Sequence, residues 1–287
     1  YEALRGTSLE LSALDHDAAI EELKAGRADA VIEFDTAGAI VTLEGSDPTR
    51  TGAIAGSVQG ALTELIIGAP FASAVKVQYL YGGPDYTLLD YLAPVLIALF
   101  AFFFIFLLST VSFLRERTSG TLERLLATPL TRAELVLGYL AGFALFALVQ
   151  AVVILLFTVF VLKVQYRGSL ATIFIVEAAL VVGAVSLGLA ISAFARNELQ
   201  AVQFVPLVLL PQVFLSGLLV PVDQLNDVLR AISTVMPLTY ANEALRSVMV
   251  KGYALSDPLI LRDIGILAAF ALVMAVAAVA SIRREVA

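Results

Sequence analysis

Three groups of side chains in this sequence could do chemistry or transmit it. The first is the stretch Arg115-Glu-Arg-Thr-Ser-Gly-Thr-Leu-Glu-Arg-Leu-Leu-Ala-Thr-Pro-Leu-Thr-Arg-Ala-Glu134, which is charged and amphipathic. Thr118 or Ser119 is placed to cap a short helix through Leu122, Leu125 and Leu126, with Pro129 to stop it. Those leucines form one apolar stripe, and Glu123 and Arg124 point elsewhere. Such a helix either lies on a bilayer surface or docks into a groove on a partner protein. The spacing leaves both readings open. The second group is polar residues inside long apolar runs, Gln150 and Glu177 above all. The third is a single histidine, His16, between Asp15 and Asp17.

Catalytic patterns are missing. No G-x-x-x-x-G-K-[ST] loop is present to cradle nucleotide phosphates, so hydrolysis of ATP by this chain is not expected. One histidine cannot make the H-E-x-x-H zinc pair, and a solvated loop position suits His16 better than a metal site. Ser186 lies between Gly183 and Gly188, but the spacing is not G-x-S-x-G and no histidine is near in sequence. Small residues there fit close helix packing instead. With no cysteine, disulfide and thiol chemistry are excluded.

The elements that must position these residues are mostly membrane spans. Of 287 residues, 60% are apolar and 15% charged, beyond the range of soluble domains. Runs of about 20 apolar residues cross a hydrocarbon layer roughly 30 Å thick. Five are expected, near residues 88–113, 136–162, 170–195, 199–220 and 260–282. Ahead of them, residues 1–87 carry 13 acidic and 5 basic side chains, against 12 and 13 in residues 88–287. An acidic front argues against nucleic acid or anionic lipid as its partner.

That front segment reads as a small α/β domain. Strands are expected over Thr7–Ser12, Ala30–Phe34, Ile40–Leu43 and Val75–Tyr81. Helices are expected after Asp17, and after Asp47-Pro48, where an N-cap precedes a proline suited to the first helical turn. The fold class is thus a polytopic α-helical membrane protein with a small extracytoplasmic α/β domain. Orientation rests on basic residues. Seven (Arg115, Arg117, Arg124, Arg132, Arg196, Arg283, Arg284) fall on one side and six (Lys163, Arg167, Arg230, Arg246, Lys251, Arg262) on the other. The denser cluster at 115–132 and the Arg283-Arg284 pair place that side in the cytoplasm, and residues 1–87 outside. An outside domain needs a signal or span to carry it across, so a further span upstream of Tyr1 is expected.

Glu116 through Arg132 resembles the "E-R-x-x-G-T-L-E-x-L-L-x-[AST]-P" loop of ABC-type-2 transporter permeases. Leu215-Ser-Gly-Leu-Leu-Val-Pro and Met236-Pro-Leu-Thr-Tyr-Ala-Asn-Glu-Ala-Leu-Arg246 resemble that family's outer segment, "F-x-S-G-x-x-x-P … N-P-L-T-Y-x-x-E-A-L-R". Asn226 and Met236 depart from it, standing where proline and asparagine are frequent. The likeness covers roughly residues 88–287.

The resemblance implies six spans per subunit, two permease subunits (a homo- or heterodimer) and two separate cytoplasmic ATPase subunits holding Mg-ATP, with no cofactor in this chain. It also implies that a coupling helix at about 116–130 rests in the ATPase groove. Glu116, Arg117, Glu123 and Arg124 would then be its polar contacts, Leu122, Leu125 and Leu126 its apolar key, and Gly120, Thr121 and Pro129 its frame. Residues 221–252 would form short helices dipping back from the outside, as irregular backbone at that depth requires protein or water around it.

A substrate path is expected through Gln150, Glu177, Gln212, Ser216 and Tyr240. Glu177 lies about 10 Å into its span. A carboxylate there must be paired (Lys163 is a candidate), neutral, or in contact with substrate or protons. Gln150 suits interhelical bonding. Pro206 and Pro211 are expected to break their helix. The phenylalanines Phe100, Phe102, Phe103, Phe104 and Phe106 suit packing or lipid. The expected function is ATP-driven export of an amphipathic, drug-like or lipid-like compound from a prokaryotic cytoplasmic membrane. Glycan export is disfavoured by the absence of tryptophan, sodium extrusion stays open, and a polytopic enzyme lacks every motif.

Overall fold

In the front segment, alternating apolar residues build a sheet. The computed structural model describes residues 12–35, 38–66, 75–218, 220 and 222–282, in two compact units, Tyr1–Tyr91 and Leu92–Ala287. In the first unit, β1 (Ala30–Asp35) pairs antiparallel with β2 (Gly38–Leu43), which pairs parallel with β3 (Val75–Tyr79). The helix α2 (Pro48–Ile66) links the parallel pair. Every second residue of β2 (Ala39, Val41, Leu43) points into a core closed by Val58 of α2, the period-2 pattern of a strand with one covered face.

Asp47 caps α2 as its position predicts, accepting from the Arg50 N–H at 3.1 Å. The helix α1 (His16–Lys24) starts one residue ahead of Asp17, and its N-cap position, Asp15, makes no side-chain cap. His16 is therefore helical rather than in a loop, and it pairs with Glu33 of β1. That hydrogen bond raises the imidazole's pKa above its usual value. All but the last residue of the strand expected at Thr7–Ser12 falls outside the described residues.

The second unit is helical. The spans are α3 (Leu88–Thr118), α5 (Arg132–Leu156), α6 (Leu170–Ser192), α7 (Glu198–Leu215) and α10 (Pro258–Ser281). All five have the length and hydropathy to cross a membrane. Between them lie α4 (Thr121–Leu126), α8 (Asp227–Ser233) and α9 (Pro237–Met249). The central helix is α6, 67% of whose apolar window is buried, against 17% for α7 and α10. It packs on α5, α9 and α10. Its close contact with α3 is made possible by Gly188, where a Cβ would come 2.0 Å from Ser109 Oγ.

Pro206 and Pro211 do not break α7, which runs unbroken across both. Each proline removes one ladder bond. Both are exposed, so the loss falls on the outer side while Ala201, Val205 and Gln212 keep the buried side packed. Of the two departures from the family pattern, Asn226 caps α8 by accepting from the Leu229 N–H at 2.9 Å. Met236 occupies the N-cap position of α9, ahead of Pro237, without a side-chain bond.

After α5 the chain loosens into a π-helical turn, Phe157–Val161, and then reverses at Lys163, which has φ 54°. A left-handed backbone is costly for a side-chain-bearing residue. Lys163→Ile is expected to destabilise by about 1–2 kcal/mol, because branching at Cβ worsens the clash. Lys163→Gly is expected to be neutral or slightly stabilising. Thermal melting of the two purified variants checks this; equal melting temperatures would contradict it.

Candidate functional site: the segment between the first two long spans

The structure places Arg115 to Glu134 as two helix ends flanking α4. Thr118 and Ser119 do not cap α4, contrary to the expectation from sequence. α3 continues through Thr118, and both hydroxyls bond back to carbonyls of α3, Leu114 at 3.2 Å and Glu116 at 3.4 Å. Such back-bonding competes with capping. The chain turns instead at Gly120, whose φ of 73° is the left-handed conformation that ends many helices. Thr121 then opens α4. Nor does Pro129 stop it. The Ala127 and Thr128 N–H groups close the helix on Glu123 and Leu125 carbonyls. Pro129 sits exposed in the link to α5, which Thr131 and Glu134 open with a reciprocal capping box.

The leucine stripe faces this chain's own interior. Leu122 is 6% exposed within the main apolar core, and Leu125 and Leu126 pack against it. Leu122 is therefore an anchor holding α4 to the bundle, while Leu125 and Leu126 are half-buried beside it. Glu123 and Arg124 are exposed and remain the outward face.

The two expected contacts on α3 also turn inward. Glu116 lies against the Tyr139 hydroxyl of α5. Arg117 Nη1 donates to the Ser192 carbonyl, the last residue of α6, at 2.7 Å. Arg115 Nε and Nη2 donate to the two carboxylate oxygens of Glu198, in the first turn of α7, at 2.7 and 3.0 Å. A fork-on-carboxylate pair fixes direction as well as distance. From sequence alone Arg115 counts only as a charge; a second arginine two positions on, at the end of a long helix, is the available signal.

The residues proposed to line a path are not gathered in one place. Gln150 of α5 donates to the Phe100 and Ala101 carbonyls of α3, at 3.3 and 3.1 Å, tying two helices together. Gln212 and Ser216, in and just after α7, both face α9. The Leu238 N–H donates to Gln212 Oε1 at 3.4 Å, and Asn242 Nδ2 donates to the Ser216 carbonyl and hydroxyl at 3.1 and 3.0 Å. Tyr240 donates its hydroxyl to the Thr234 carbonyl at 2.7 Å. Gln212, Ser216 and Tyr240 thus hold the α7–α9 region in shape. Asn242, which does most of this, lies within the Met236–Arg246 motif and was not singled out.

Glu177 stands apart. It is fully buried in α6, and neither carboxylate oxygen has a hydrogen-bond partner, so no pair with Lys163 forms. Asp263 of α10, also fully buried, is held by Arg262 at 2.7 Å, which bridges to Glu243 of α9 at the same distance. A carboxylate six residues into an apolar span carries the same signal as Glu177 and went unread. Removing an unpartnered polar group from an apolar site is neutral or stabilising. Glu177→Met is expected to keep or raise the melting temperature, by up to about 1 kcal/mol of stability. A clearly lowered melting temperature would show that the carboxyl group contributes to the fold.

Among the described residues no cluster of His, Cys, Asp and Glu could hold a metal ion. The model of one family, ABC-2 type transporter, matches residues 49–250, a stretch holding α3 through α9. The chain belongs to the ABC-2 type transporter family. Its relatives include ABC transporter G family member 20 of Dictyostelium discoideum, 34% identical over 61% of this chain and 24% of that protein. The probable multidrug ABC transporter permease YbhS of Escherichia coli (strain K12) is 33% identical over 51% of this chain and 39% of its own length. The linearmycin resistance permease protein LnrN of Bacillus subtilis (strain 168) is 28% identical over 59% and 43%. The match spans less than half the length of each. As a member of this family with five long apolar helices, the chain is a multi-pass helical membrane protein.

Proposed function

We propose that this chain is the permease part of an ATP-driven exporter whose ATPase is a separate subunit, and that α4 is the surface on which that ATPase acts. The carrying observation is α4 itself. It is six residues long, tied to the bundle by Leu122, Leu125 and Leu126, and turns Glu123 and Arg124 outward. A short helix anchored in this way moves with the bundle and exposes charge to a partner. In this reading α4 and the end of α10 are cytoplasmic, residues 1–87 lie outside, and the membrane is a prokaryotic cytoplasmic membrane. Two permease subunits and two ATPase subunits carrying Mg-ATP make up the transporter. The cargo in this reading is an amphipathic, drug-like or lipid-like compound; its drug-like character is supported by the relatives named as multidrug and linearmycin resistance permeases.

The test reverses the outward charges. Exposed rim charges govern encounter and partner choice more than folding. The double substitution Glu123→Lys/Arg124→Glu is expected to weaken retention of the ATPase subunit about tenfold, with the permease melting temperature unchanged. Retention equal to the parent would refute α4 as the docking surface.

A further inference from the structure

Two bonds from the end of α3 straddle a single turn. Residues 193–197 connect α6 to α7. On the near side of that turn Arg117 holds the Ser192 carbonyl; on the far side Arg115 holds Glu198. Glu198 sits next to Asn197, which caps α7 through the Gln200 N–H. The beginning of α7 is thus gripped by α3 only a few residues before α4 begins. At its other end α7 is bonded to α9 through Gln212 and Ser216. Between these ends α7 packs one side within this chain, through Ala201 and Val205. Pro206 and Pro211 lie in the stretch between the two sets of bonds.

We propose that α7 is a transmission rod, gripped at one end by Arg115 and Arg117 and at the other joined to α9, so that displacement of α4 is delivered to the α8–α9 region. This rests on the reading of α4 as the ATPase's docking surface and adds the route by which its movement travels. Three features of the geometry carry it. The α3 helix is continuous to Thr118, so a force on α4 reaches Arg115 and Arg117 through the single turn at residues 119–120. The Arg117 bond engages the carbonyl end of α6, where partial negative charge accumulates, so a cation there is held by the helix as well as by one oxygen. The Arg115–Glu198 pair is exposed, with side chains 65% and 52% accessible. A pair so exposed contributes little to stability, yet its two parallel bonds set the orientation of the first turn of α7.

Arg115, Arg117 and Glu198 are accordingly positioning residues, and their loss is expected to alter response rather than folding or assembly. The chain has no cysteine, so a single reporter can be placed at Val235, between α8 and α9 and 70% exposed. The experiment uses the complete transporter with its ATPase, in the parent and in Arg115→Glu, Glu198→Arg and the double reversal, each carrying Val235→Cys. The rate of labelling by a membrane-impermeant maleimide is compared without nucleotide and with ATP plus vanadate. In the parent, nucleotide is expected to change the rate about fivefold or more, the scale of an ordinary coupling between sites. In either single reversal the change is expected to fall below about twofold, while ATPase retention and melting temperature stay at parent values. The double reversal restores the parental response. A parent that responds and single reversals that respond equally would overturn the rod alone, as would a double reversal no better than the singles. A parent indifferent to nucleotide overturns the rod together with the docking role of α4.

Discussion

Leu122→Asp is expected to destabilise the permease by about 4 kcal/mol, with no ATPase present. Leu122 is 6% exposed in the main apolar core. Losing a buried leucine forfeits about 1.5–3 kcal/mol of apolar burial. Placing an aspartate there adds the desolvation of a carboxyl group with no donor supplied for it, a further few kcal/mol. The neighbouring Leu125 is half-buried, so Leu125→Asp is expected to cost less than half as much, because its carboxylate can turn to water. Thermal unfolding of the solubilised chain alone separates the two. If Leu122→Asp melts like the parent but no longer retains the ATPase, the leucine would be a partner contact after all and the packing described above would be refuted.

Gly188→Val is expected to cost about 3 kcal/mol. At this position a Cβ would come 2.0 Å from Ser109 Oγ and 3.1 Å from both Ser109 Cβ and the Phe106 carbonyl oxygen. The hydroxyl can rotate away, but the main-chain oxygen cannot, so the helices must separate. Overpacking of this kind costs about 1–3 kcal/mol, and a branched side chain lies at the upper end. Gly188→Ala is expected to cost less and to be relieved by Ser109→Gly, since that change removes the opposing Cβ. The relief is partial, because a glycine inside a helix itself costs about 1 kcal/mol. A double variant no more stable than Gly188→Ala alone would show that α3 and α6 do not meet at this point.

Composition and periodicity sufficed for whatever depends on how much apolar surface a stretch of chain must hide. Five apolar runs of about 20 residues are each long enough to cross a bilayer, and for α5, α7 and α10 little of that surface is covered within this chain. The alternation around Ala39, Val41 and Leu43 could only be a strand with one face covered. The cap at Asp47 was legible for a similar reason, since it depends on residues within one turn. Likewise, motifs at residues 116–132 and 236–246 sufficed for the family, since they are long and ordered.

The direction in which a given side chain points was not legible. Leu122, Leu125 and Leu126 form an apolar stripe whether the surface that covers it belongs to a partner, to lipid or to this chain. Only the packing of α4 on the bundle shows that this chain covers Leu122 and half-covers Leu125 and Leu126. Glu116 and Arg117 look like outward charges until α5 and α6 are placed beside them. Pro206 and Pro211 read as breaks because a lost ladder bond is a local cost, whereas the packing that keeps α7 continuous comes from residues distant in sequence. The clamp made by Arg115 and Arg117 joins residues 83 and 75 positions apart. Local spacing determined which elements form and which residues they carry. Tertiary structure alone decided which of those residues meet, because each such meeting depends on surfaces that another part of the chain supplies.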